Sequence, residues 1–382
     1  MEIIIFGTNC FLQIIQMDNQ LKDIFFQLLR IGLWGEGTLS QNQPLTIDDW
    51  NKIHRYAINH TIEGLIYDSF PFLEENQLPP QSLRMKWAVR VDQIERHNAK
   101  MNRVIAEQFT AFSAQDIRPI LQKGQGVASY YRIPNHRISG DIDFCFEDEG
   151  YAKARNYLKE KQINFQDTAG FSLDYNFKGI HIEHHKRTFD FRSPLRKNYL
   201  RKLIKKYEPA KQYIIINEIP VRLLAPELQL LQVNIHILKH LITYGIGLRQ
   251  FCDSARLYHA VSSQINNESL EQIYKKTGIL KWIHLLHKLL VENLGLPKKD
   301  LPFPYPENIE TDWMLDEVWY SGNFGFKDER FDNSKKSARF ARPDSPKRLW
   351  QNFKRYVKYA PEEAIAFPLI HTYSKFLGKD SD

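Results

Sequence analysis

The chain of 382 residues is poor in cysteine and has no long apolar run. Its three cysteines, Cys10, Cys145 and Cys252, form no Cys-x-x-Cys pair, so a reducing, cytoplasmic setting is expected. No stretch approaches the length of a membrane-spanning helix. The apolar start, Met1 to Ile15, lacks a basic n-region, carries Glu2 and has no small-residue cleavage site. It is therefore read as a strand or helix packed on the body rather than as a signal peptide, with Met17 as an alternative start of translation. No Gly-x-Ser-x-Gly elbow and no Gly-x-x-x-x-Gly-Lys-Ser/Thr loop occurs, which leaves serine hydrolases and P-loop enzymes without support. There is no internal repeat and no low-complexity tract.

What is present is an ordinary globular composition, 43% hydrophobic and 25% charged. The length predicts two or three domains. The net charge of +7 suits a protein that handles phosphorylated or acidic ligands, though many proteins with neither share it. The region up to Ser113 reads as helical. Leu21, Ile24, Phe25, Leu28 and Leu29 recur at helix spacing, and Thr46 with Asp49 three residues on marks a helix start. Leu78-Pro79-Pro80 breaks the chain before a long helix over about Ser82 to Phe112. His54 and His60 in this region read as surface or capping residues. From Ala225-Pro226-Glu227 onward the chain is again helical, with helices over Leu280–Leu294, Pro346–Tyr359 and Pro361–Leu377 and an exposed loop over Phe324–Arg342. The expected division is 1–113 helical, 114–225 core and 226–382 helical.

Between the two helical regions lies the chemistry. Ile117 to Leu121 reads as a strand that enters the turn Lys123-Gly124-Gln125-Gly126, and Val127 to Tyr131 as the first turns of a helix. Glycines let backbone approach a ligand closely, and a helix start behind such a turn favours phosphate. Then Ile142, Phe144 and Phe146 alternate with Asp141, Asp143 and Cys145, the period of a half-buried strand. Asp141 and Asp143 share one face of it. Adjacent carboxylates repel unless a cation lies between them, and a hard divalent ion such as Mg²⁺ resolves that repulsion. The segment Gly179-Ile180-His181-Ile182-Glu183-His184-His185 also alternates, so a neighbouring strand would bring Glu183 beside the pair. On such a strand His181, Glu183 and His185 share one face and His184 takes the other. A zinc hydrolase is disfavoured: neither His-Glu-x-x-His nor His-x-x-Glu-His is present, and the segment is not helical. Asn164–Gln166 and Ser172–Asn176 read as further strand pieces, and Tyr213–Ile216 with Pro220–Leu224 as a hairpin.

These residues resemble the DNA polymerase β-type nucleotidyltransferase superfamily. Leu121 to Phe146 followed by Gly179 to His185 is similar, more closely, to the bacterial family of uncharacterised nucleotidyltransferases. The resemblance implies an α+β fold, a small mixed sheet with helices, flanked by helical regions. It implies a metal-dependent transfer of a nucleoside monophosphate from a nucleoside triphosphate to a hydroxyl. By position, Asp141, Asp143 and Glu183 are the implied catalytic residues, with Asp141 and Asp143 holding two Mg²⁺ (or Mn²⁺) ions and Glu183 completing the ligands of the catalytic one. Lys123, Gly124, Gly126, Ser129, Arg137, Ser139 and Arg187 are the implied nucleotide-binding residues. Glu183-His184 matches the family's acid–His pair, and Leu248-Arg249-Gln250-Phe251-Cys252-Asp253 resembles one of its helices, with Asp253 as an anchor against the core rather than a catalyst. The sequence departs from the superfamily at the turn, where Gly-Ser or Gly-Gly is usual and the serine holds phosphate. Ser129 and Ser139 are the candidate substitutes.

Other polar clusters carry two readings each. Arg187 to Lys206 is rich in cations, either an electropositive wall for triphosphate or an acidic second substrate, or the solvated face of a helix. Arg187 and Arg192 lie nearest the third acid. His236 and His240 sit four apart on a helix, as do Arg249 and Asp253, where an intrahelical ion pair is the simplest reading. The expected acceptor is a small molecule, a sugar or a protein rather than RNA, since no basic–aromatic stripe is evident. The alternative to an enzyme is a non-catalytic nucleotide-binding, antitoxin-like or regulatory protein on the same fold.

Overall fold

The computed structural model describes residues 3–40, 44–146, 148–168, 172–243, 245–325 and 346–376. The apolar start is helical: α1 runs over Ile3–Trp34. α2 (Ile47–Asn59) begins with a capping box, in which Thr46 Oγ1 accepts from the Asp49 amide and Asp49 accepts from the Thr46 amide, both at 3.1 Å. α3 (Glu63–Tyr67) follows, and α4 (Gln81–Ser113) starts directly after Pro79-Pro80. His54 and His60 are buried, contrary to a surface reading. His60 caps α2 and its Nδ1 accepts from the Leu248 amide at 3.4 Å, so burial serves packing between the terminal regions.

The central sheet is mixed. Its strands are β1 (Ile120–Gln122), β2 (Ile142–Cys145), β3 (Gln166–Thr168), β4 (Ser172–Phe177) and β5 (Ile180–His185). α5 (Gly124–Ala128) sits between β1 and β2, and α6 (Asp148–Glu160) between β2 and β3. The order is β1-β2-β5-β4-β3, with β2 and β5 parallel and the other pairs antiparallel. α4 and α6 cover one face. Met101, Ile105, Phe109 and Phe112 pack there on Ile142, Phe144, Leu173 and Ile182. The opposite face carries Asp143, Glu183 and His185. Asp143 is only 7% exposed, so β2 is covered on both sides rather than half-buried. α5 is displaced from the expected helix: it starts at Gly124 and lasts five residues.

After β5 come α7 (Lys197–Tyr207) and the hairpin β6 (Gln212–Ile216) and β7 (Ile219–Leu223), a separate two-stranded sheet. Its two-residue turn, Asn217 and Glu218, takes positive φ at both positions, the conformation that matches strand twist. The C-terminal part holds α8 (Pro226–Ile242), α9 (Leu248–Val261), α10 (Asn267–Lys276), α11 (Leu280–Glu292), α12 (Asp312–Ser321), α13 (Pro346–Tyr356) and α14 (Pro361–Phe376). The expected Phe324–Arg342 loop lies outside the described residues beyond Gly325. The helical regions on either side of the sheet share one apolar core. Trp319 of α12, for example, meets Phe25 of α1 edge to face at 5.2 Å between ring centroids. Among the described residues no helix is long and apolar enough to cross a membrane.

Candidate active site

The parallel β2–β5 register pairs Ile142 with Ile182, Asp143 with Glu183 and Cys145 with His185. Because side chains alternate, Asp143, Glu183 and His185 emerge on the same face. Their ligating atoms all lie within 4.8 Å of one another. His185 Nε2 is 2.7 Å from Asp143 Oδ1 and 3.4 Å from Glu183 Oε2. His181 Nε2 approaches Glu183 Oε1 at 3.3 Å. His184 turns the other way, into the core, where Tyr175 Oη is 3.1 Å from its Nε2. Burial there lowers the His184 pKa to about 3, so it is neutral.

The electrostatics follow from crowding. Burial and then Asp143 raise the Asp141 carboxyl above its ordinary range, and burial and then Asp143 do the same to Glu183. Asp143 itself goes down: burial opposes its charge, but Lys123 and His185 outweigh burial. Lys123 caps α5 with φ 47° and ψ −135°, a backbone region that β-branched side chains avoid. That conformation accompanies a side chain in the cleft, with Nζ 3.4 Å from Asp190 Oδ2. Burial disfavours the ammonium, yet Asp190, Asp143, Asp141 and Glu183 together hold its pKa above the usual lysine value. Asp143 and Glu183, with Asp141 two residues away, are the hard oxygen donors that suit Mg²⁺ or Mn²⁺, while the His185 imidazole beside them, a donor commoner on softer metals, is bonded to Asp143. The expected ligands were Asp141, Asp143 and Glu183; the tight group is completed by His185, which the alternation had placed on the same face.

A cleft of about 1420 Å³ opens above these groups. Lys123, Gly124, Arg137, Ser139 and Arg187 line it, while Gly126 and Ser129 do not. A Cβ at Gly126 would reach Leu223 Cδ2 at 3.0 Å, so this glycine serves packing. Ser129 Oγ donates to the Gly126 carbonyl at 2.6 Å. Ser139 is buried in the wall, and its hydroxyl oxygen accepts from Arg137 Nη1 at 2.7 Å. Arg137 is committed elsewhere too: Nε and Nη2 each donate to Asp253 at 2.7 Å, a bidentate pair. Tyr131 Oη donates to the same carboxylate at 2.7 Å. Asp253 thus anchors α9 to the segment before Asp141 rather than pairing within its helix with Arg249. Arg249 instead donates to the Ile138 carbonyl at 2.5 Å and lines the cleft.

Asp190, His236 and Lys239 also line the cleft, and sequence reading missed their association. Asp190 Oδ2 accepts from His236 Nδ1 at 2.8 Å, and Asp190 Oδ1 lies 3.5 Å from Lys239 Nζ. Burial, followed by the charge of Lys123, lowers His236 to about 4. The rings of His236 and His240 are 4.5 Å apart, face to edge, with His236 tied to Asp190. The only advance signal was the polar Asp190 between Phe189 and Phe191.

The fold thus presents paired acids on a mixed sheet beneath a basic-walled cleft. Residues 47–295 match the family of uncharacterised nucleotidyltransferases. The chain belongs to that family. A solved structure titled an antigenic nucleotidyltransferase-like protein, from Paracoccidioides brasiliensis, is similar over 46% of this chain and 87% of that one, with 14% identity and a TM-score of 0.29. No curated protein matches the chain.

Proposed function

We propose that the protein moves a nucleoside monophosphate group from a nucleoside triphosphate to a hydroxyl acceptor and releases pyrophosphate. The observation that carries this reading is the β2–β5 register, which sets Asp143 against Glu183 on the cleft floor. Asp143, Glu183 and His185, with Asp141 adjoining, would hold Mg²⁺ or Mn²⁺. A metal bound there supplies charge neutralisation for the phosphates and lowers the pKa of the acceptor hydroxyl.

The residues of the chain do the rest. The acceptor oxygen bonds to the α-phosphorus as the bond from that phosphorus to the bridging oxygen breaks. Lys123, held upright by Asp190, faces the phosphates with its full charge. Gly124 leaves the backbone open at the turn, and the Ser139 hydroxyl keeps its proton for donation while accepting from Arg137. Of Glu183 and Asp143, burial and its neighbour raise the first while, despite burial, Lys123 and His185 lower the second, so Glu183 rather than Asp143 takes the acceptor's proton. Arg137 acts through position: its pairing with Asp253 fixes the approach to Asp141. A direct phosphate contact by Arg137 would break those bonds. Arg187 stands at the cleft wall as an additional phosphate contact. The acceptor is a small molecule, a sugar or a protein hydroxyl, and the setting cytoplasmic.

Manganese binding tests the metal half of this reading. The electron paramagnetic resonance signal of free Mn²⁺ should fall when wild-type protein is added without nucleotide, since a nucleoside triphosphate binds Mn²⁺ by itself. It should persist with Asp143→Asn or Glu183→Gln. Undiminished Mn²⁺ binding by both variants would remove these residues from the metal site. A second reading, a nucleotide-binding or regulatory protein without turnover, draws on the turn: Ser129 lies outside the cleft lining, so the superfamily's phosphate-binding hydroxyl has no counterpart there. Metal-dependent nucleotide binding with no pyrophosphate release in the presence of cell-extract acceptors would favour it.

A further inference from the structure

α7 presents Lys197, Arg201 and Lys205 to the cleft, together with Leu200 and Ile204. The three cations are spaced four residues apart, so they share one helix face. From first to last they span about 12 Å of helix axis. All three are exposed. α7 contains no carboxylate, and among the described residues no ion pair engages any of the three. Neighbouring cations behave differently: Arg196 pairs with Glu362, and Lys211 with Glu208 at 3.0 Å. Lys202 and Lys206 are exposed and without an ion pair as well, among the described residues; what sets Lys197, Arg201 and Lys205 apart is that they line the cleft.

Two further features bear on what that is. The cleft, at about 1420 Å³, exceeds the roughly 300–1,000 Å³ of a site for one small ligand. Ile370 of α14 is half-buried and lines the same cleft beside the cations, with Phe367 packed in the core next to it. α14 is fastened there, because Glu363 accepts from the Arg192 and Ser193 amides at 2.7 and 3.0 Å. That segment joins the acid-bearing strand to α7, and α14 lies outside the family's matched range. A wall closed by a docked helix, with no row of aromatic stacking platforms, suits a compact ligand better than a nucleic-acid strand.

We propose that Lys197, Arg201 and Lys205 form a second anion subsite, which takes a small phosphorylated acceptor bearing more than one negative charge, with its apolar part against Ile204 and Ile370. Only the word acceptor rests on the transferase reading; the subsite itself stands on the charge and shape of the wall.

The test is calorimetric titration of inorganic tripolyphosphate in EDTA, where the acid centre repels anions. Wild type and Asp141→Asn/Asp143→Asn should both bind. Lys197→Ala/Arg201→Ala/Lys205→Ala should bind about tenfold more weakly or worse. Lys202→Ala/Lys206→Ala, on the same helix but outside the cleft lining, should bind as wild type does. No binding by wild type, or equal loss in the Lys202/Lys206 variant, overturns the proposal. Magnesium and nucleotide at saturation should leave tripolyphosphate binding in place; competition would assign α7 to the donor's own phosphates and also overturn it. Single-stranded RNA that displaces tripolyphosphate at lower concentration would make the ligand a nucleic acid, with the same consequence. Failure of nucleotide to bind at all would instead strike the transferase reading and leave the metal-free result to decide this one.

Discussion

Asp143 on β2 stands directly opposite Glu183 on β5, and Asp141 lies two residues before it beside the same cleft. Without a metal this arrangement stores repulsion, visible in the upward shift of Asp141 by burial and by Asp143. Asp141→Asn should therefore raise the metal-free Tm, because a neutral amide replaces a carboxyl that burial and Asp143 disfavour when charged. Mg²⁺ with nucleotide should raise the Tm of wild type, since a ligand that binds only the native state stabilises it, and leave Asp143→Asn unmoved. Thermal melts in EDTA and in Mg²⁺ give both readings; a lower metal-free Tm for Asp141→Asn would contradict the repulsion.

Arg137 and Asp253 form a buried bidentate pair between residues far apart in the chain. Removing one member strands the other. Arg137→Met and Asp253→Asn should each destabilise by roughly 3–5 kcal/mol in urea unfolding, while the double variant loses less than the sum. Additive losses would mean that the two side chains act independently.

His136 lies between two carboxylates, with Nδ1 2.5 Å from Asp68 and Nε2 3.0 Å from Glu95. Burial opposes its charge, but the bonds and charges of Asp68 and Glu95 outweigh burial and raise its pKa. A raised histidine contributes stability that is complete below the unfolded value, about 6.5, and is lost as pH climbs through the folded value. Burial pushes Asp68 up as well, against the hydrogen bond and charge of His136. Wild-type stability should fall as pH rises above about 6.5, and His136→Gln should flatten that slope. An unchanged slope in the variant would assign the pH dependence to other groups.

Gly32 of α1 allows a close crossing with α3: a Cβ there would overlap the Leu65 carbonyl oxygen. Gly32→Ala should destabilise by roughly 1–3 kcal/mol, the range of an overpacked core. Gly140, next to Asp141, has no atom within 4 Å of a built Cβ, so Gly140→Ala should leave the unfolding midpoint close to wild type. Denaturation midpoints of the pair separate close packing from mere mutation of a glycine.

Period-2 alternation made both acid-bearing strands legible, along with the face that Glu183 and His185 share. The capping box at Thr46 and the Pro79-Pro80 break were equally local, and both mark real helix starts. Local signals do not reveal partners distant in sequence. Arg137 looked like a phosphate contact because nothing nearby shows that Asp253 takes its guanidinium. Asp190 gave no hint of its bonds to His236 and Lys239, which depend on α8 packing against the segment that follows β5. α10 and α12 were overlooked because short helices carry few periodic positions, although Asn266 caps α10 by accepting from the Ser269 amide at 2.8 Å. The position of α5 shifted because its first turn is made of the glycines that were read as loop.

The most direct test is calorimetric titration of ATP, GTP, CTP and UTP, each with and without Mg²⁺, into wild type and into Asp141→Asn/Asp143→Asn. No acceptor is needed. At least one nucleotide should bind wild type more tightly with Mg²⁺ than without, and Mg²⁺ should make no difference to its binding by the double variant, still folded. Nucleotide binding that ignores Mg²⁺ in wild type, or that Mg²⁺ tightens equally in the double variant, would contradict the assignment of the acid pair as the metal-holding centre.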